Sequence, residues 1–139
     1  MTSKIIFNND IIKFMSIFHN VTNTNLKDCI DFDNKIVFIV DENNAGKAIG
    51  KKGINVKKLE QKFKKKIMIV EYSKDIKQFI VNVIYPNKVQ EVTEVDGVYT
   101  IVSKDKFTRG MIIGRNAVNL REYENIVKRY YPIKEIKVL

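Results

Sequence analysis

A chain of 139 residues that is 45% hydrophobic carries enough apolar mass to fold, as one ordinary domain or two very small ones. Lys and Arg number 25 against 16 Asp and Glu, giving a formal charge of +9 and a pI near 9.6, which favours an anionic partner such as nucleic acid or an acidic membrane surface. The single cysteine, Cys29, excludes an internal disulfide framework and fits a reducing compartment, and no apolar run approaches the roughly 18 residues of a membrane span.

In chain order, the amino terminus offers Lys4 and Ile5-Ile6-Phe7 but neither the long apolar region nor the small-residue cleavage site of an export signal. A soluble, cytoplasmic protein is the expectation, with no membrane partner and monomer as the default state. Ile11, Phe14, Met15 and Phe18 stand at i, i+3, i+4 and i+7, which predicts an amphipathic helix with Asn8, Asn9 and Asp10 available as caps. Asp33-Asn34 supplies a turn into a β-rich run over residues 36–40. A short helix, a glycine loop and a long helix follow, the last burying Val56, Leu59 and Phe63 and turning Lys57, Lys58, Lys62 and Lys65 to solvent. A strand over residues 67–72 closes this half.

The same order then recurs. Ile76, Phe79, Ile80 and Val83 repeat the helical spacing after Ser73 and Asp75, and Pro86 ends that helix. Asp96-Gly97 turns into a strand over residues 98–102, and residues 133–139 form the closing strand. Adding 64 to Gly46, Ile49, Gly50, Asn55 and Glu60 gives Gly110, Ile113, Gly114, Asn119 and Glu124, the same residue each time. Two modules are therefore expected, over residues 1–73 and 74–139.

The chemistry concentrates at Gly50-Lys51-Lys52-Gly53. Two glycines allow positive φ and a close backbone approach, and the following helix presents unpaired N–H groups that favour phosphate. Between Gly46 and Lys66 there are nine lysines against Glu60 alone, so nearly all the excess charge surrounds this loop. A nucleotide-binding P-loop is excluded, because the G-x-x-x-x-G-K-[ST] pattern fails at Ala45 and Lys52, removing the magnesium ligand. The second loop, Gly114-Arg115-Asn116-Ala117, carries Ala where positive φ favours Gly, and so reads as a weaker or supporting contact beside Arg109, Arg115 and Arg121.

The I-G-x-x-G-x-N signature at residues 49–55, in this order of elements, resembles the KH domain. The extra helix and strand before each core resemble its type II, prokaryotic arrangement, an α+β fold in which a three-stranded mixed sheet is covered on one face by helices. More narrowly, Asp28-Cys29-Ile30, Ala48-Ile49-Gly50-Lys51, Asn55-Val56-Lys57-Lys58-Leu59-Glu60 and Val70-Glu71-Tyr72-Ser73 make the chain similar to the short archaeal NusA proteins, transcription elongation and termination factors built of two KH domains. The likeness runs from about Ile5 to the carboxyl terminus.

That resemblance implies single-stranded RNA bound in a groove, about four nucleotides per module, and RNA polymerase as a further partner. Gly50, Lys51, Lys52 and Gly53 would hold phosphates over a floor of Ile49 and Ile54, with Lys47, Lys57 and Lys58 alongside. Gly114, Arg115, Asn116 and Arg121 are the counterparts in the second module, with Arg109 adding charge beside them. A ribosome-associated KH protein is the alternative, since the same groove would serve ribosomal RNA. Asp41-Glu42 and Asp31 with Asp33 are the close acidic groups, and they read as turn residues. No enzyme, cofactor or metal is expected.

Overall fold

In the computed structural model the described residues are 9–32 and 34–139, so the proposed cap Asn8, the terminal Lys4, Ile5, Ile6 and Phe7, and the turn residue Asp33 lie outside them. The chain divides into two compact units that part between Ser73 and Lys74. Both are α+β.

The first unit runs α1 (Asn9–Thr22), β1 (Leu26–Phe32), β2 (Lys35–Val40), α2 (Ala45–Ile49), a 3-10 turn (Lys51–Gly53), α3 (Ile54–Phe63) and β3 (Lys66–Glu71). Its sheet has the order β1-β2-β3, with β1 antiparallel to β2 and β3 parallel to it, from Lys35 opposite Lys66 to Val40 opposite Glu71. A central strand flanked on both sides should be apolar without alternation, and all six residues of β2 are buried. One face of β2 contributes Ile36, Phe38 and Val40 to a core shared with Ile11 and Phe18 of α1, Ala48 of α2, Leu59 of α3 and Ile67 of β3. Phe18 stacks on Phe38 with centroids 4.5 Å apart, and Phe63 meets Phe14 edge-on at 5.0 Å. Each fully buried side chain of this size contributes about 1.5–3 kcal/mol, so the helices are held down mainly by these contacts. Cys29 is buried in the same core.

The second unit repeats that order as α4 (Ile76–Ile84), β4 (Val89–Val95), β5 (Val98–Ser103), α5 (Lys106–Ile113), a 3-10 turn (Arg115–Ala117), α6 (Val118–Lys128) and β6 (Glu135–Val138). Its sheet, β4-β5-β6, has the same mixed pairing. Asp96 and Gly97 both take positive φ, 50° and 85°, as the tight turn between β4 and β5 needs. The closing strand is shorter than the expected residues 133–139. Ile133 instead donates its N–H to the carbonyl of Tyr131 in a tight turn before β6 begins. Among the described residues no helix is long and apolar enough to cross a membrane.

Asp75 caps α4, accepting hydrogen bonds from the backbone N–H groups of Lys77 (3.0 Å) and Gln78 (3.4 Å). Asp75→Ala leaves those donors to water and should cost about 1 kcal/mol. Urea denaturation followed by circular dichroism measures it, and an unchanged midpoint would mean the cap contributes nothing.

Candidate nucleic-acid interface

Between α2 and α3 the backbone takes an unusual path. Gly50 sits at φ 80°, ψ 167°, a region that only glycine occupies without strain, followed by Lys52 at φ 57° and Gly53 at φ 73°, both left-handed. Gly53 closes the turn by donating its N–H to the Gly50 carbonyl, 3.0 Å away. Asn55, in the first turn of α3, donates from Nδ2 to the carbonyl of Lys47 at 3.3 Å, fastening the start of α3 to the end of α2. A Cβ on Gly50 would lie 2.9 Å from that same Asn55 nitrogen. The loop thus needs glycine at position 50 twice over, once for its dihedrals and once for the asparagine beneath it.

The second unit reproduces this geometry. Gly114 stands at φ 74°, ψ 174°, Asn116 at φ 55°, and Asn119 donates from Nδ2 to the Met111 carbonyl at 3.1 Å. Ala117 takes φ 59°, ψ 23°, next to the 73° and 21° of Gly53. The alanine therefore does not alter the path of the second loop, although it bears the cost of a left-handed conformation, about 1 kcal/mol. The repeated asparagines are structural braces of the loop that the sequence pattern marked only as identities; their hydrogen bonds reach eight residues back to a backbone atom.

The charged side chains stand outside this frame. Lys47, Lys51, Lys52, Lys57 and Lys58 are all exposed, and Ile54 shows 49% of its surface although it is apolar. Lys51, Lys52, Ile54 and Lys57 together line an open depression of about 380 Å³. Three ammonium groups around one exposed aliphatic side chain can hold phosphates at the rim and an apolar ring face against the isoleucine. Gly50 and Gly53 provide the turn, and Ile49 is half-buried behind it; Lys47 and Lys58 stand on α2 and α3 outside the lining.

Three expectations require correction. Lys65 is not turned freely to solvent but forms an ion pair with Asp31, Nζ to Oδ1 3.1 Å, across 34 residues of sequence. Asp31 accordingly belongs to β1 rather than to a turn. Of the predicted apolar face of α3 only Leu59 is fully buried, while Val56 and Phe63 are half-covered at its margins.

Around the second loop, Arg109, Arg115, Asn116 and Arg121 are exposed, and Gly114 is half-buried. The sequence reading did not single out Phe107, Met111 and Val118, which are 77%, 51% and 48% exposed. A signal was present, since the 64-residue shift sets Met111 against Lys47 and Phe107 against Asn43, replacing polar residues by large apolar ones. Asp105 caps α5 by accepting the Thr108 N–H at 2.7 Å, and that hydrogen bond holds its carboxyl below the usual carboxylate range.

Comparison with known proteins agrees with this geometry. The KH domain family matches residues 15–96. A protein of Methanococcus vannielii named "Probable transcription termination protein NusA" is 37% identical over 139 residues, covering 98% of this chain and 80% of the relative. Its namesake from Methanocaldococcus jannaschii is 34% identical over 140 residues, covering 99% and 76%. Among solved structures, the crystal structure of APE1850 aligns with a TM-score of 0.75 at 25% identity, covering 96% of this chain and all of the other.

Proposed function

This chain belongs to the archaeal NusA-like family of KH-domain proteins, and on that premise we propose that it binds single-stranded RNA without catalysing a reaction on it and regulates transcription elongation and termination. The observation that carries the reading is the lysine-rimmed depression at the positive-φ loop, whose backbone is repeated in the second unit. Single-stranded RNA suits it because splayed phosphates can follow the loop while a base lies on Ile54. We assign the two units to KH modules over residues 1–73 and 74–139 in the type II arrangement, an assignment supported by the extra helix and strand at the start of each. The RNA is nascent transcript in the cytoplasm, RNA polymerase is the protein partner, and the working state is a monomer.

Fluorescence anisotropy with a labelled single strand of about ten nucleotides tests this. RNA should bind more tightly than DNA of the same sequence and than duplex RNA, and log K should fall with log salt by about 0.7 for each phosphate neutralised. Indifference to strandedness would sink the reading, and specific cleavage of the RNA in magnesium or manganese would overturn its non-catalytic part.

A further inference from the structure

The two loops share a frame but not the surface that leads into it. In the second unit, Phe107, Gly110, Met111 and Gly114 stand at i, i+3, i+4 and i+7, so they form one stripe along α5 that ends at the loop. The stripe faces outward: Phe107 and Met111 are exposed, the residue behind them, Ile112, is fully buried, and the space above Gly110 is open, with nothing within 4 Å of a Cβ built there. The corresponding positions in the first unit are Asn43, Gly46, Lys47 and Gly50, polar and cationic. They are also arranged differently, because α2 has only five residues and Asn43 precedes it in a left-handed turn, whereas α5 has eight and begins one residue before Phe107. The carboxylate of Asp105 caps the first turn of this longer helix.

An apolar stripe on a cationic surface is the pattern of a base-binding platform. Exposed Lys106, Arg109, Arg115 and Arg121 lie on the same helices and loop, while the nearby acid Asp105 is engaged in its cap and Glu124 accepts from the Ile136 N–H and from Lys128. We propose that Phe107 and Met111 form a nucleobase platform in the second unit. An unpaired base of the bound strand lies against the Phe107 ring and the Met111 side chain, with Arg109 and Arg115 holding adjacent phosphates. The first unit sets a base against Ile54 within its phosphate clamp, and the second adds an aromatic base contact. The inference rests on the RNA-binding reading above and extends it to a site that a phosphate clamp alone does not need.

The test compares the full chain with its Phe107→Ala and Phe107→Tyr variants on two oligomers of equal length, a single-stranded RNA and the same backbone bearing abasic sites. Phe107→Ala should weaken binding of the base-bearing RNA about 5- to 30-fold, as loss of one stacked base does. It should leave the abasic oligomer and the salt slope unchanged, and Phe107→Tyr should restore affinity, since tyrosine presents a similar ring face. A 2-aminopurine in the RNA should lose its quenching in Phe107→Ala alone. Equal affinity of wild type and Phe107→Ala for the base-bearing RNA, or an equal loss on both oligomers, overturns the platform. Loss of polymerase co-purification with RNA binding intact overturns it too and gives the face to a protein. A Lys51→Asp, Lys52→Asp variant run in parallel separates the failures: if it alone loses RNA, only the platform falls, and if wild type binds no RNA, the underlying reading falls.

Discussion

Reversing the charge at both Lys51 and Lys52 to aspartate is expected to lower affinity for single-stranded RNA by at least about 100-fold near 0.1 M salt, while the protein stays folded. Both side chains are exposed and line the depression beside Ile54, and the substitution changes the local charge by four units. Each charge-assisted phosphate contact is worth about 1.5–3 kcal/mol, and two carboxylates would add repulsion to that loss. Lys52 already occupies a left-handed conformation, which Asp accepts more readily than most residues, so the backbone should not object. Anisotropy titration measures the affinity, circular dichroism checks the fold, and the salt slope should fall by about 1.4, twice 0.7, for two neutralised phosphates. If the folded variant binds as well as wild type, the clamp lies elsewhere on the lysine-rich stretch between Gly46 and Lys66.

Gly50→Ala should be the most damaging single substitution of a small residue in the loop, costing about 2–4 kcal/mol. Two effects add: dihedrals that only glycine occupies without strain, and a Cβ placed 2.9 Å from Asn55 Nδ2 and 3.0 Å from Ile54 Cγ2. Relieving the clash would push Asn55 off the Lys47 carbonyl and free the start of α3 from the end of α2. Gly53→Ala is the control. Nothing lies within 4 Å of a Cβ there, and only the left-handed φ remains to be overcome, at about 1 kcal/mol. Urea denaturation of the two variants side by side decides the matter. Equal losses would show that the asparagine contact is immaterial.

What could be read from the sequence was whatever repeats or alternates. Ile11, Phe14, Met15 and Phe18 announced α1, the β-rich run over residues 36–40 announced a strand, and the identities 64 residues apart announced two similar units. Contacts set by tertiary closeness left no such trace. The pairing of Lys65 with Asp31 joins the end of β1 to the bend between α3 and β3, far apart in sequence, and no local pattern encodes it. The reach of Asn55 to a carbonyl eight residues earlier depends on the turn between them, so its identity was visible before its role. That Ala117 would keep the path of Gly53 was not legible, because propensity is a weak prior: the frame set by Gly114 and Asn119 holds alanine in a conformation it would not choose alone. Phe107 was overlooked because a lone aromatic in a helix usually points inward, and here it stands 77% exposed in the first turn of α5.

The glycine and asparagine that brace each loop lie at its margins, at 50 and 55 in one unit and at 114 and 119 in the other. The tripeptides between, Lys51-Lys52-Gly53 and Arg115-Asn116-Ala117, follow the same path with different chemistry. The path of the loop and the side chains it displays are thus set by separate positions, which makes the tripeptide an exchangeable cassette. A duplicated ancestor can vary its charge there without endangering the scaffold that both copies inherited.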